Sequence, residues 1–339
     1  MSASPAPRQS SLNPVALDEL GMPAGRTFTF TDPERYQAAI RASNVELFPI
    51  GKGAFRAELT QIDLHRLWMQ RGSENIPTIS HGVVTADRAV IEFLTRSGQP
   101  SFQRNGVEVA PGRIVVDDRR LAHRRCFTPH HWGSMSLRPA DLAAASRVLI
   151  GRELKIPSVS RVVRPPSMLM KCLLILHEEA GQLAKTTPDT LRHPEVVRSL
   201  EHALIHAMIR CLSDGTHAEP RLAIRQHSLI MARLEDFLAA HNEETIYVAE
   251  LCAATRVSER TLRNSCREQL GIGPVRYLWL RRMHFARRAL LRADPAVTTV
   301  SEIAAKHGFW EFGRFAVQYR ALFGESPSAS LRRPPLDHA

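Results

Sequence analysis

Two periods of hydrophobic spacing divide the chain. From residue 27 to about 138, short apolar–polar runs alternate with turn residues: TFTF at 27–30, AELTQIDLHRLWMQRG at 57–72, AVIEFLTRSG at 89–98 and GVEVAPGRIVVDD at 106–118. Alternation with a period of two places apolar side chains on one face of a strand. Asn105-Gly106 is a dipeptide favoured in two-residue hairpins, and Pro111-Gly112 marks a second turn. Hairpins at this spacing predict a small antiparallel barrel or sandwich, whose mouth suits a small molecule. After Pro139 the period lengthens. ADLAAASRVLIGREL at 140–154 reads as a helix, Pro165-Pro166 interrupts, and 168–184 and 195–212 follow as two apolar-periodic helices. In the second, Val196, Leu200, Leu204, Met208 and Leu212 recur every fourth residue. The pair is expected either to pack on the barrel or to form a dimer seam.

From Arg225 onward the pattern is helical in short pieces, and it repeats. LCAATRVSERTLRNSCREQLGIGP (Leu251 to Pro274) is similar to IAAKHGFWEFGRFAVQYRALFGESP (Ile303 to Pro327). Each copy holds a small-residue helix, a turn, a second helix and then Leu/Phe-Gly-x-x-Pro, with one extra residue in the second copy's turn. This is the layout of a helix-turn-helix, in which the first helix needs a small inner residue, here Cys252 and Ala304. The turn favours a left-handed backbone, which Gly308 takes freely and Arg256 takes at a cost of about 1 kcal/mol. Val257, Leu262, Phe309 and Phe315 are expected inside. The outward residues of the second helix are expected to be Glu259, Arg260, Arg263, Asn264 and Arg267, and in the second copy Trp310, Glu311, Arg314 and Gln318. Arg, Asn and Gln match the guanine and adenine edges of the major groove, and Glu accepts from cytosine. Trp310 and Phe312 are placed to meet thymine methyls or sugars, or, in the case of Trp310, to cover a gap between helices. Between the copies, PVRYLWLRRMHFARRALLRAD predicts one long helix with an apolar stripe of Val275, Leu278, Met283, Ala286 and Leu290. Its length of about 28 Å approaches the roughly 34 Å between successive major grooves on one face of B-DNA. Its arginines are expected to touch phosphates, to pair internally or to be solvated.

These motifs resemble the AraC/XylS family of bacterial transcription regulators. The matching elements are Ser258-x-Arg260-Thr261-Leu262, Gly271-x-x-Pro274-x-x-Tyr277-Leu278, Ala286-Arg287-x-x-Leu290, Ile303-Ala304-x-x-x-Gly308-Phe309, and Phe315-x-x-x-Tyr319-Arg320-x-x-Phe323-Gly324-x-x-Pro327. Arg256 for the turn glycine, Cys266 for an aromatic and Gly273 for a serine depart from the pattern. The resemblance implies a C-terminal DNA-binding domain with two reading heads and an N-terminal effector or dimerisation domain, often a cupin-like barrel. The expected fold is α+β. A tail covers 1–24, a β-rich regulatory domain 25–138, a helical dimerisation segment 139–215, a linker 216–224, the double helix-turn-helix domain 225–333 and a tail 334–339.

Composition narrows the function. A net charge of +11, carried almost wholly by arginine, suits an acidic partner such as nucleic acid, although arginine-rich genome composition gives the same balance. The five cysteines are scattered and form no CxxC pair, so neither a disulfide framework nor a zinc site is expected, and a reduced cytoplasmic setting near the nucleoid fits. No apolar run reaches the roughly 20 residues of a membrane span. His81, His123, His130 and His131 lack a metal-binding H-x-H with a following glutamate, and Gly51-Lys52-Gly53 lacks a dinucleotide fingerprint. No catalytic group, metal or cofactor is therefore assigned. Trp68, His81, Phe93, His123 and Trp132 are the candidate lining of an effector pocket. The expected function is a non-enzymatic, sequence-specific regulator, an activator, whose partners are double-stranded promoter DNA, RNA polymerase and a small-molecule effector, with a homodimer as an open expectation. A regulator whose N-terminal half only dimerises is the alternative. A DNA-repair alkyltransferase on the same module is a remote third reading, since a reactive proline-cysteine-histidine setting and a four-cysteine site are both missing.

Overall fold

A computed structural model describes residues 25–85, 87–117, 121–157, 159–218, 222–241 and 246–333. The expected tails at 1–24 and 334–339 lie outside the described residues. The N-terminal half runs β1 (Gly25–Phe30), α1 (Pro33–Ala39), β2 (Ser43–Pro49), β3 (Ala57–Leu64), β4 (Leu67–Glu74), β5 (Thr78–Val84), β6 (Ala89–Leu94), β7 (Phe102–Arg104), β8 (Val107–Val109), β9 (Ile114–Val116), β10 (Ala122–Cys126) and β11 (His130–Leu137). Then follow α2 (Pro139–Ile150), β12 (Arg161–Arg164), α3 (Ser167–Thr186), α4 (Pro194–Ser213) and β13 (Thr216–Ala218). The strands form two antiparallel sheets. The larger has the order β1-β3-β4-β11-β6-β9-β12-β13, and the smaller β2-β5-β10-β7-β8. Asn105 and Gly106, both at positive φ, close the β7–β8 hairpin with Arg104 opposite Val107.

The helices α3 and α4 lie on the outer face of the larger sheet. Their shared stripe, including Leu173, Ala180, Leu204 and Met208, packs with Ile62, Met69, Phe93 and Met135 of the strands in one core. The apolar surface that the sequence offered for a dimer seam is thus largely used within the chain. Glu201 is buried in this layer because it accepts from the backbone N–H of Arg66 at 2.8 Å and pairs with that residue's guanidinium, tying α4 to the β3–β4 turn. The expected linker at 216–224 needs correction. Thr216–Ala218 pairs with β12, which itself pairs with β9, so this stretch is the edge of the larger sheet. A β-carbon on Gly215 would lie 2.4 Å from Val163, so the glycine lets the two strands approach.

The C-terminal half is helical: α5 (Leu222–Ala240), α6 (Val248–Thr255), α7 (Glu259–Leu270), α8 (Pro274–Arg292), α9 (Val300–Lys306), α10 (Phe312–Phe323) and α11 (Pro327–Leu331). α5 packs on α6 and α7, α9 packs on α10 and α11, and α8 runs between the two groups. Leu262, Tyr277, Met283, Leu290, Ile303, Phe315 and Tyr319 share one core. Phe48 of β2 and Ile79 of β5 belong to that same core, so the smaller sheet is fused to the helical domain through apolar packing. No helix among the described residues is long and apolar enough to cross a membrane.

Candidate nucleic-acid interface

The paired turns are built alike. In the first, the N–H of Val257 bonds to the carbonyl of Cys252 at 3.2 Å; in the second, the N–H of Phe309 bonds to that of Ala304 at 2.9 Å. The residue that reverses the chain is left-handed in both, Arg256 at φ 57° and Gly308 at φ 75°. Ser258 caps α7 by accepting from the Thr261 N–H at 3.3 Å. Thr299 and Glu302 form a reciprocal capping box at the start of α9. The first cap fixes the start of the second helix of copy one, and the capping box fixes the start of the first helix of copy two.

On α7 the structure brings all five expected residues to one surface. Glu259, Arg260, Arg263, Asn264 and Arg267 are exposed, while Leu262, Ser265 and Cys266 are buried. Arg263 pairs with Glu259 one turn earlier, which orders both side chains. On α10 the expectation holds less well. Trp310, Glu311 and Arg314 are exposed, but Gln318 is half-buried, and its amide oxygen accepts from the indole N–H of Trp279 at 3.1 Å. Gln318 thus braces α10 against α8 instead of facing outward. Superposing the buried anchors Leu262 and Phe315 puts Gln318 level with buried Ser265. Beside Arg314, which pairs with Glu311, the exposed surface of α10 includes Phe312, Gly313, Val317 and Arg320, three of which are not hydrogen-bonding types and carry no signal in the sequence.

The arginines of α8 do not present a phosphate-binding row. Arg281 is 5% exposed and lies 3.1 Å from Glu46 of β2 and 3.3 Å from Glu235 of α5. Arg288 pairs with Glu46 at 3.0 Å and also with Glu34, and Arg287 pairs with Asp32 at 3.3 Å. Arg282 lies over the ring of Phe309. Val275, expected in the apolar stripe, is exposed, and Tyr277, Leu280 and His284 take up the buried face. The helix is buried on several sides because the barrel covers the face opposite the reading heads.

That contact is a polar network inside an apolar ring. The Tyr277 hydroxyl donates to Glu235 at 2.7 Å, and His123 Nε2 lies 3.1 Å from the same carboxylate. His81 Nε2 lies 3.3 Å from Glu46, and its Nδ1 lies 3.3 Å from the Tyr277 hydroxyl. His284 Nε2 donates to the carbonyl of Pro49 at 3.2 Å, with its ring edge-on to Phe48. Burial pushes the Glu46 carboxyl up, but the His81 hydrogen bond and the charges of Arg281, His81 and Arg288 outweigh it and hold the group at about 2. Glu235 is likewise raised by burial but held at about 2 by His81, His123 and Arg281. Burial lowers His123, so its imidazole is neutral and serves Glu235 as an N–H donor, while Arg281 supplies the lasting positive charge.

The other face of the smaller sheet bounds a small cavity of about 60 Å³ between the two sheets. Ser80, Arg104 and Arg124 line it from one side, and Gln70, Glu92 and Trp132 from the other. Of the candidate lining residues, Trp132 contributes its ring, whose Nε1–H donates to Tyr36 at 3.0 Å. His81 borders the cavity only between its neighbours Ser80 and Gly82, because its ring turns to the helical domain. His123 sits directly opposite it across the β5–β10 pair and also faces out. Phe93 points from β6 into the layer under α3, against His177, and Trp68 packs with Val84 and Val90 beneath the Arg88 guanidinium. Strand alternation decides each case, and the sequence does not mark which face is inward. Among the described residues no group of three His, Cys, Asp or Glu is placed to hold a metal.

Residues 251–333 match the family described as a helix-turn-helix domain. Over 153 residues the chain is 37% identical to the probable thc operon regulatory protein of Rhodococcus erythropolis, a match covering 44% of this chain and 45% of that one. Over 101 residues it is 33% identical to the XylDLEGF operon transcriptional activator of Pseudomonas putida, covering 30% of this chain and 32% of that one. The matches therefore span less than half the length of these curated relatives. Among solved structures, the AraC-like transcriptional activator CuxR aligns over 83% of this chain and 99% of its own, at 16% identity and a TM-score of 0.39. The match at 251–333 supports the resemblance of the C-terminal domain to the AraC/XylS family of helix-turn-helix regulators.

Proposed function

We propose that the protein is a sequence-specific transcription regulator that docks α7 and α10 in successive major-groove segments of promoter DNA and is controlled by a small molecule held between its two sheets. The observation that carries this is the outer face of α7. Three arginines and an asparagine stand exposed along one helix whose inner face is buried, and among the described residues only the Arg263–Glu259 pair engages this row. α8, 19 residues and about 28 Å long, joins the two heads. Both curated relatives are named as operon regulators and one as a transcriptional activator, which supports activation.

The shared wall between cavity and helical domain supports effector control. In β2, β5 and β10, Val45, Ser80 and Arg124 face the cavity while their chain neighbours Glu46, His81 and His123 face the helical domain. A ligand that shifts these strands acts on Arg281 and Tyr277 of α8 without touching them. This favours a sensing barrel over a mere dimerisation platform. Selection of binding sites from random duplex DNA, followed by anisotropy titration, tests the central reading. Arg260→Ala should cost about 1–3 kcal/mol on selected sites and far less on random duplex. Equal losses on both would leave Arg260 as a phosphate contact and remove the case for base reading at α7.

A further inference from the structure

Superposed on Leu262 and Phe315, the two heads present different chemistry at matching positions. Glu259 is matched by Phe312, Arg260 by Gly313, Arg263 by Ala316, Asn264 by Val317 and Arg267 by Arg320. The match is confirmed by burial, since Ser265 and Gln318 are both turned inward. Phe312 is 43% exposed and Val317 is 71% exposed, so an apolar surface stands where α7 carries its polar row. Trp310, 75% exposed, extends this surface at the turn.

Gly313 adds an independent observation. It lies in the first turn of α10, and an added β-carbon there would meet nothing within 4 Å. Its backbone is helical, so no left-handed turn calls for glycine. Glycine loses more backbone freedom than alanine on entering a helix. Nothing among the described residues accounts for it, whereas a surface brought close to the helix from outside does.

We infer that the second head reads thymine methyl groups by apolar contact through Phe312 and Val317, with Gly313 allowing close seating in the groove, while the first head reads base edges by hydrogen bonds. The inference deepens the DNA-binding reading and rests on it. Thymine is the base that presents a methyl group in the major groove, and apolar side chains discriminate it by contact. Arg320, like Arg267, remains as a donor at the far end of its helix.

The test uses the full-length protein and its selected DNA. The half-site whose base preference relaxes in Val317→Ala is assigned to the second head; if neither relaxes, the inference is overturned. Thymines of that half-site are then replaced by deoxyuridine, which removes only the methyl group. Wild type should lose roughly fourfold in affinity for each contacted methyl removed, as expected for one buried methyl-sized group. Val317→Ala should lose less, and the same replacement in the other half-site should change little. Gly313→Arg, matching Arg260, should fold normally and move the selected base towards guanine. Unchanged affinity on deoxyuridine DNA would overturn the inference while leaving the DNA-binding reading intact. Failure to select any sequence would overturn both.

Discussion

At the scale of single residues, the two helix-turn-helix copies reverse the chain in the same conformation with different residues. Arg256 holds φ 57° where Gly308 holds φ 75°, and only the glycine, which has no β-carbon, avoids a clash with the following carbonyl. The side chain of Arg256 is exposed, so little packing is lost on its removal. Arg256→Gly should therefore raise stability by up to about 1 kcal/mol, read as a higher midpoint in urea with an unchanged slope. Much at this scale was legible in advance. Arg, Asn and Glu at spacings of three and four identify the face of α7, because the pattern of buried Leu262 and Cys266 fixes the helix's rotation. Gln318 was misassigned because its type suits base reading, and only the distance to Trp279 reveals its bracing role.

At the scale of elements, local signals set the boundaries and alternation sets the faces. Ser258 begins α7 and Gly271, at φ 72°, ends it. Ser258→Ala should cost about 1 kcal/mol through loss of the N-cap, measurable by thermal unfolding, and should weaken DNA binding because α7 frays where Glu259 and Arg260 sit. The strands show the opposite situation. β2, β5 and β10 carry polar side chains on both faces, one towards the cavity and one towards the helical domain, so no hydrophobic alternation marks an inside. For that reason the sequence offers His81 and His123 as pocket residues, whereas their rings meet the helical domain. β12 and β13 were not foreseen, since two three- to four-residue strands separated by two long helices leave no local trace of their pairing.

At the scale of the whole molecule, Arg281 is the centre of the contact between barrel and helical domain. Removing it leaves Glu46 and Glu235 ionised beneath the interface without their nearest shared cation. Breaking a buried pair in this way typically costs about 3–5 kcal/mol. Arg281→Met should destabilise the chain by about that amount in denaturant titration and should expose new sites between the halves to limited proteolysis. Acid should act on the same contact. Both carboxyls are held at about 2 against an ordinary 4.5, so their contribution is present above pH 4.5 and is lost as the pH falls towards 2. Glu46→Gln should flatten the fall in unfolding midpoint across that window; an unchanged profile would show that Glu46 is not held low.

The sequence by itself determined the helical domain, because its helices are made of contacts close along the chain: caps, small inner residues, turn glycines and a repeat whose two copies check each other. It also determined that the first half is β-rich, because turn dipeptides and alternation are local. Only the tertiary structure decided what those strands face. The polar network joins Glu46 and His81 to Glu235 and Arg281, which lie far apart along the chain, and no periodicity records a charge pair formed by two domains meeting. It was likewise the packing of α10 against α8 that turned Gln318 inward and left Phe312, Gly313 and Val317 as the outer face of the second head.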